Sequence, residues 1–167
     1  MRRYKLVYNL KEIEERLDIK RGRLREWSKN EYIRGVEGEY RGRKIEQYTL
    51  IDAYQIALFR YLVEDCKILR DEAGLYVNQW RDLIDGQGFT SKFLNQIEQG
   101  SKHRSIIWRP SNSFIAFIRK IDGSLVVLFD RDKIEEAQKE LNWKMILTVN
   151  IYKIINEIND LLADCKE

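Results

Sequence analysis

Arg21, Arg23 and Arg25 stand at alternate positions at the start of a short predicted helix, Arg21–Lys29, with Lys20 directly before them. A guanidinium is permanently charged and presents a planar fork of donors. That fork matches a phosphate or the edge of a guanine bidentately. Leu24 and Trp27 give this helix an apolar face, and the arginines are assigned to the face opposite. A second basic group follows, with Arg34, Arg41, Arg43 and Lys44 set among Gly35, Gly38 and Gly42. Basic side chains around a glycine-rich turn suit a phosphate backbone, where charge gives affinity without reading sequence. A solvated charged surface and a plain glycine-rich loop are the alternative readings of these two groups.

Other chemistry finds few residues to work with. The chain has neither a G-x-x-x-x-G-K-[ST] phosphate loop nor a G-x-S-x-G nucleophile elbow. Its one histidine, His103, sits in the basic stretch Gly100–Ser105, which suits a solvated side chain better than a general base. Cys66 and Cys165 are far apart, without a C-x-x-C or companion histidines, and are read as reduced thiols. Acidic residues such as Glu12 stand four places from basic partners such as Arg16, ordinary helix support. The expectation is a non-enzyme with no metal or other cofactor.

Charge is unevenly spread along the 167 residues. The whole chain carries +3, but residues 1–44 hold 14 Lys+Arg against 8 Asp+Glu, and residues 45–167 hold 16 against 19. An excess confined to the first quarter points to an anionic partner for one end. At 44% hydrophobic the chain can bury a core. It has no apolar run of 18 residues and no secretory leader at its start, so a cytoplasmic protein without a membrane partner is expected.

The elements that must position the arginines are legible as caps and periodicities. Asn9 with Glu12 forms a capping box for a helix over about Leu10–Leu17, with Leu10, Ile13 and Leu17 at helical spacing. Asp18-Ile19-Lys20 turns the chain into the arginine helix, which completes a helix-turn-helix pattern. Arg34–Gln47 then reads as a basic β-hairpin, a wing, with Val36, Tyr40 and Ile45 as strand residues. Thr49 with Asp52 caps a longer helix running to about Asp65.

Taken in order, residues 8–85 resemble the MerR-type winged-helix DNA-binding domain. The resemblance rests on "YNLKEIEERLDIKRGRLREWSKNEYI", a basic wing, "QYTLIDAYQIALFRYLVE" and "ILRDEAGLYVNQWRDLI". Leu24-Arg25-Glu26-Trp27 matches the family's Leu-Arg-x-Tyr/Trp, and Tyr48-Thr49 matches its aromatic and hydroxyl residues closing the wing. The resemblance implies a homodimer on double-stranded DNA carrying an inverted repeat, with regulation through promoter distortion. It implies DNA contacts by Lys20, Arg21, Arg23, Arg25, Trp27, Arg41, Arg43 and Lys44. Arg25 would hold phosphate, and Trp27 would anchor the helix by packing and its indole N–H. A plain core role for Trp27 is the alternative.

The family commonly continues into a long dimerising helix, whereas here Asp85-Gly86-Gln87-Gly88 breaks the pattern and a new helix spans only Thr90 or Ser91 to Gly100. Beyond it the pattern turns to strands: Ile106–Trp108, Ser113–Arg119 and Leu125–Phe129, the last two around an Asp122-Gly123 turn. A helix capped by Asp130 follows, about Arg131–Leu141 with Ile134, Ala137 and Leu141 inward, then a strand Trp143–Val149 and a terminal helix from Asn150. The aromatics Trp108, Phe114, Phe117, Phe129, Trp143 and Tyr152 could line a small-molecule effector pocket or simply fill a core. The isoleucine-rich terminal helix could pair two copies or pack on its own sheet.

The expected fold is α+β. It comprises a MerR-like winged helix at 1–85, a linker with a short helix at 86–104, and a C-terminal α+β module with a β-hairpin and a terminal helix at 105–167. The expected function is sequence-specific transcriptional regulation. The alternatives are an architectural DNA-binding accessory factor, excisionase-like or phage-packaging-like, and a protein-interaction module with a basic face.

Overall fold

The computed structural model describes residues 7–40, 43–86 and 113–162, and over 36–40 and 43–45 it describes the backbone alone. The expected short helix after Gly88 and the strand at Ile106–Trp108 lie outside the described residues. The fold is α+β, with helices around two small antiparallel sheets.

Strand β1 (Tyr8–Asn9) leads into α1 (Leu10–Arg16), and α2 spans Arg23–Lys29. Both halves of the α1 capping box form: the Glu12 N–H donates to Asn9 Oδ1, and the Asn9 N–H to Glu12 Oε2, each at 3.0 Å. Strands β2 (Val36–Tyr40) and β3 (Arg43–Tyr48) form the hairpin after α2, and β1 adds to its far side, giving the order β1-β3-β2. The ladder ends with Tyr40 paired to Arg43, and Arg41 and Gly42 lie outside the described residues.

Helix α3 (Leu50–Glu64) starts from the second capping box, Thr49 with Asp52. Burial nearly all round it (Leu50, Ile51, Ala53, Tyr54, Ile56, Leu58, Phe59 and Leu62) makes it the central helix. Helix α4 (Arg70–Gly86) packs on one side of it.

The C-terminal segment contributes β4 (Phe114–Lys120), β5 (Leu125–Leu128), α5 (Arg131–Lys139), β6 (Trp143–Asn150) and α6 (Ile151–Leu162). Its sheet has the order β5-β4-β6. Helix α5 ends two residues before the expected Leu141, because Glu140 is extended (φ −74°, ψ 144°). Leu141 is therefore 92% exposed rather than inward, while Ile134 is buried as expected.

The two segments share one core. Ile151, Ile154, Ile155, Ile158 and Leu162 of α6 are buried against α3 and β4, in one cluster with Trp27, Phe59 and Trp80. The terminal stripe is thus consumed within the chain. The Tyr54 hydroxyl donates to Asn159 Oδ1 at 2.5 Å. The carbonyl of Leu162 accepts from the Tyr8 hydroxyl at 3.3 Å and from Arg16 Nη1 at 3.1 Å, fastening the last turn of α6 to the first elements of the fold.

A polar clasp joins α4 to the second sheet. The Tyr76 hydroxyl donates to Glu72 Oε1 at 2.5 Å, Arg119 Nη2 donates to the same oxygen at 3.2 Å, and Tyr76 stacks on Phe117 at 5.2 Å. The Tyr76 bond, with a smaller contribution from Arg119, holds the Glu72 carboxyl below its usual range against the opposing effect of burial. Burial, then the Glu72 bond, pushes the Tyr76 phenol up to about 12. A lowered carboxylate pKa contributes stability that is present above its unfolded value, about 4.3, and lost as pH falls through the folded value. A raised phenol contributes stability that is present below about 10 and lost as pH climbs from there toward its folded value. The urea midpoint is therefore expected to fall at both extremes, with the acid limb shallower in Glu72→Gln than in the parent chain.

Candidate nucleic-acid interface

The turn between α1 and α2 is built around Glu14 and Gly22. The Glu14 side chain, only 7% exposed, accepts the Gly22 N–H at 2.8 Å, and its carbonyl accepts the Ile19 N–H at the same distance. Asp18 (φ +49°) turns the chain, with Leu17 and Ile19 buried on either side. Gly22 adopts φ +81° as the N-cap of α2, so the helix begins at Arg23, two residues later than its sequence suggests. A side chain at that φ is strained even though a Cβ there meets open space. Gly22→Ala is expected to cost about 1 kcal/mol, measured by urea unfolding.

This start divides the three arginines. Arg21 and Arg25 are exposed and line one cleft of about 630 Å³ between α1 and α2, together with Leu10, Lys11, Ile19 and Asp18. Lys20 and Lys29 are exposed as well. None of Lys20, Arg21, Arg25 and Lys29 makes an ion pair among the described residues. Arg23 points the other way. Its Nη1 pairs with Glu64 Oε1 of α3 at 3.1 Å, and its guanidinium lies 5.8 Å from the Trp27 ring centre. Within α2, positions 23 and 25 lie about 200° apart around the axis, and Arg21 stands ahead of the Gly22 N-cap, off the helix. The three arginines therefore do not form the single outward face expected of them.

Trp27 is a core residue. It is 2% exposed, meets Phe59 edge-on at 5.0 Å, and its indole N–H is buried without a hydrogen bond among the described residues. The expected anchoring by packing is present, while that N–H faces no surface. Other basic residues nearby are also engaged: Arg34 pairs with Asp82, and Arg70 Nη1 with Glu26 at 2.9 Å.

The hairpin is tied to α2. Ser28 Oγ donates to Glu46 Oε1 at 3.3 Å, and the Tyr48 hydroxyl donates to Glu46 Oε2 at 2.8 Å. Burial, then the Glu46 bond, pushes the Tyr48 phenol well up, so it stays a neutral donor. Arg43 and Lys44 are on β3, paired in register with Tyr40 and Glu39, and Arg41 lies outside the described residues. Glu37, Glu39 and Glu46 are in the same hairpin, with Glu39 in register opposite Lys44.

Lys11 lines this cleft, and Lys29, exposed at the end of α2, is not part of its lining; neither is among the expected contacts. Lys11 reaches the cleft only through the packing of α1 on α2, and it pairs with Glu15 at 3.5 Å.

The aromatic residues of the C-terminal segment do not converge on one chamber. Phe117 is in the core, while Phe114, Trp143 and Tyr152 are 37–45% exposed. Phe114 and Trp143 pair at opposite ends of the β4–β6 ladder, and Trp108 lies outside the described residues. No helix among the described residues is long and apolar enough to cross a membrane. No group of three or more metal-ligating side chains occurs among them either. No protein-family model matches this chain, and no curated protein matches it.

Proposed function

We propose that this chain is a sequence-specific, double-stranded-DNA-binding transcriptional regulator of the MerR-like winged-helix kind. The observation that carries the reading is the division of its basic residues. Among the described residues Arg23, Arg34 and Arg70 have carboxylate partners, whereas Lys20 and Arg21 just before α2, and Arg25 and Lys29 on it, are exposed without one. Charges left unpaired on a rigid element are available to a polyanion, and a short helix fits the major groove of duplex DNA. The hairpin tied to that helix by Glu46 would lie along the flanking backbone as the wing, with Arg41, Arg43 and Lys44 as its contacts.

In this reading two copies meet on an inverted repeat, and no catalytic step is assigned. Selection from a random duplex library with the purified chain tests it. Enrichment of a palindrome is the expected result, and no duplex binding even at low salt would overturn it.

A second reading, an architectural accessory factor, is favoured by one observation. The isoleucine stripe of α6 is buried on α3, so that stripe does not serve a second copy. Such a factor would bind a single non-palindromic site and show a much smaller ratio of specific to random-duplex affinity.

A further inference from the structure

We propose that Glu64 holds Arg23 as an internal stand-in for a DNA phosphate, and that duplex binding draws Arg23 out of this pair onto the backbone. The inference rests on the DNA-binding reading above and adds a regulated contact to it. Arg23 is the first residue of α2, between the exposed Arg21 and Arg25. Its pair with Glu64 is open to solvent, with side-chain exposures of 39% and 38%. A pair that exposed contributes little to folding and is readily exchanged.

The arrangement around Glu64 makes the exchange cheap. Its second oxygen, Oε2, accepts from Arg60 Nε at 2.8 Å, and Arg60 Nη1 is fixed in turn by the Leu17 carbonyl at 2.7 Å. When Arg23 leaves, Glu64 keeps a charged partner and no carboxylate is stranded. Arg60 is held by two hydrogen bonds, whereas Arg23 is held by one and by its contact with the Trp27 ring, so Arg23 is the more movable of the two arginines. In the free protein Glu64 lowers the positive potential of the α2 start. A phosphate at that place would compete with it for the same guanidinium, by the same charge-assisted hydrogen bonding.

Salt-dependent duplex binding by the full-length chain separates this from a purely structural strut. Arg23→Ala is expected to reduce the slope of log affinity against log salt by about one phosphate contact. Glu64→Gln is expected to raise affinity about two- to five-fold in the parent chain, and by clearly less in the Arg23→Ala background. The proposal is overturned if Arg23→Ala leaves the slope unchanged, or if Glu64→Gln gives the same gain in both backgrounds, which would be general charge removal. Circular dichroism checks the fold of each variant, and should Glu64→Gln not fold, the Arg23→Ala slope alone decides. Loss of all duplex binding by the parent chain would instead fail the DNA reading itself.

Discussion

Replacing Asp52 with Ala is expected to destabilise the protein by about 3–5 kcal/mol, a large share of the 5–15 kcal/mol typical of a folded domain. Asp52 is 1% exposed and serves three partners at once. Its Oδ2 accepts from the Thr49 N–H at 2.6 Å and from Thr49 Oγ1 at 2.8 Å, closing the cap of α3. Its Oδ1 accepts from Arg81 Nη1 of α4, a side chain only 7% exposed. Truncation removes the cap and leaves a guanidinium buried with only the half-exposed Asp85 beside it at 3.0 Å. Uncompensated buried charge, rather than the lost attraction, dominates the cost. Urea denaturation should show the full loss in Asp52→Ala. Part of it should return in the double variant Asp52→Ala with Arg81→Met, where the cap is lost as well but no charge is left stranded. Equal losses in the two variants would place the cost in the cap alone.

The double change Arg21→Ala with Arg25→Ala should abolish preference for the selected duplex site. A base or phosphate contact from an arginine is worth about 1–3 kcal/mol, so two together reduce specific affinity by at least about ten-fold. Both side chains are exposed on one cleft and neither is paired, so folding stability should hardly change. Arg131→Ala supplies the control. That residue is 80% exposed on α5, paired with Glu135 in its own helix, and should leave duplex binding unaltered. If both variants bind like the parent chain, the α2 start is not the interface. A uniform loss across sequences, with a flatter salt slope, would assign the two arginines to phosphates rather than bases.

The elements closest to local sequence rules were the most legible. Asn9 with Glu12 and Thr49 with Asp52 read as capping boxes from spacing alone, and all four reciprocal bonds form. The Asp122-Gly123 turn sets β4 against β5, with Gly123 at φ +86°. Gly22 was the missed signal. Its place between Arg21 and Arg23 marks the helix start, and taking the helix from Arg21 put three arginines on one face. Spacing by two in a helix already argues against that face. Longer-range facts left no local trace. Asp52 reads as a cap residue, and nothing near it announces Arg81, 29 residues on. Glu64 reads as an ordinary helix-end acid until α2 folds back on it. The burial of α6 against α3 could not be told from packing on its own sheet, because one isoleucine stripe serves either use.

The fastening of Leu162 to Tyr8 and Arg16 bears on how the protein is made. Those bonds close over 154 and 146 residues of chain. A ribosome delivers about 5–20 residues per second, so the helix-turn-helix emerges many seconds before α6 exists to cover α3 and hold α1. During that interval the apolar side of α3 that α6 later covers stands open. The basic end of the chain reaches its finished form only when the last helix has docked, so a nascent or truncated chain would present its arginines on an unfinished support.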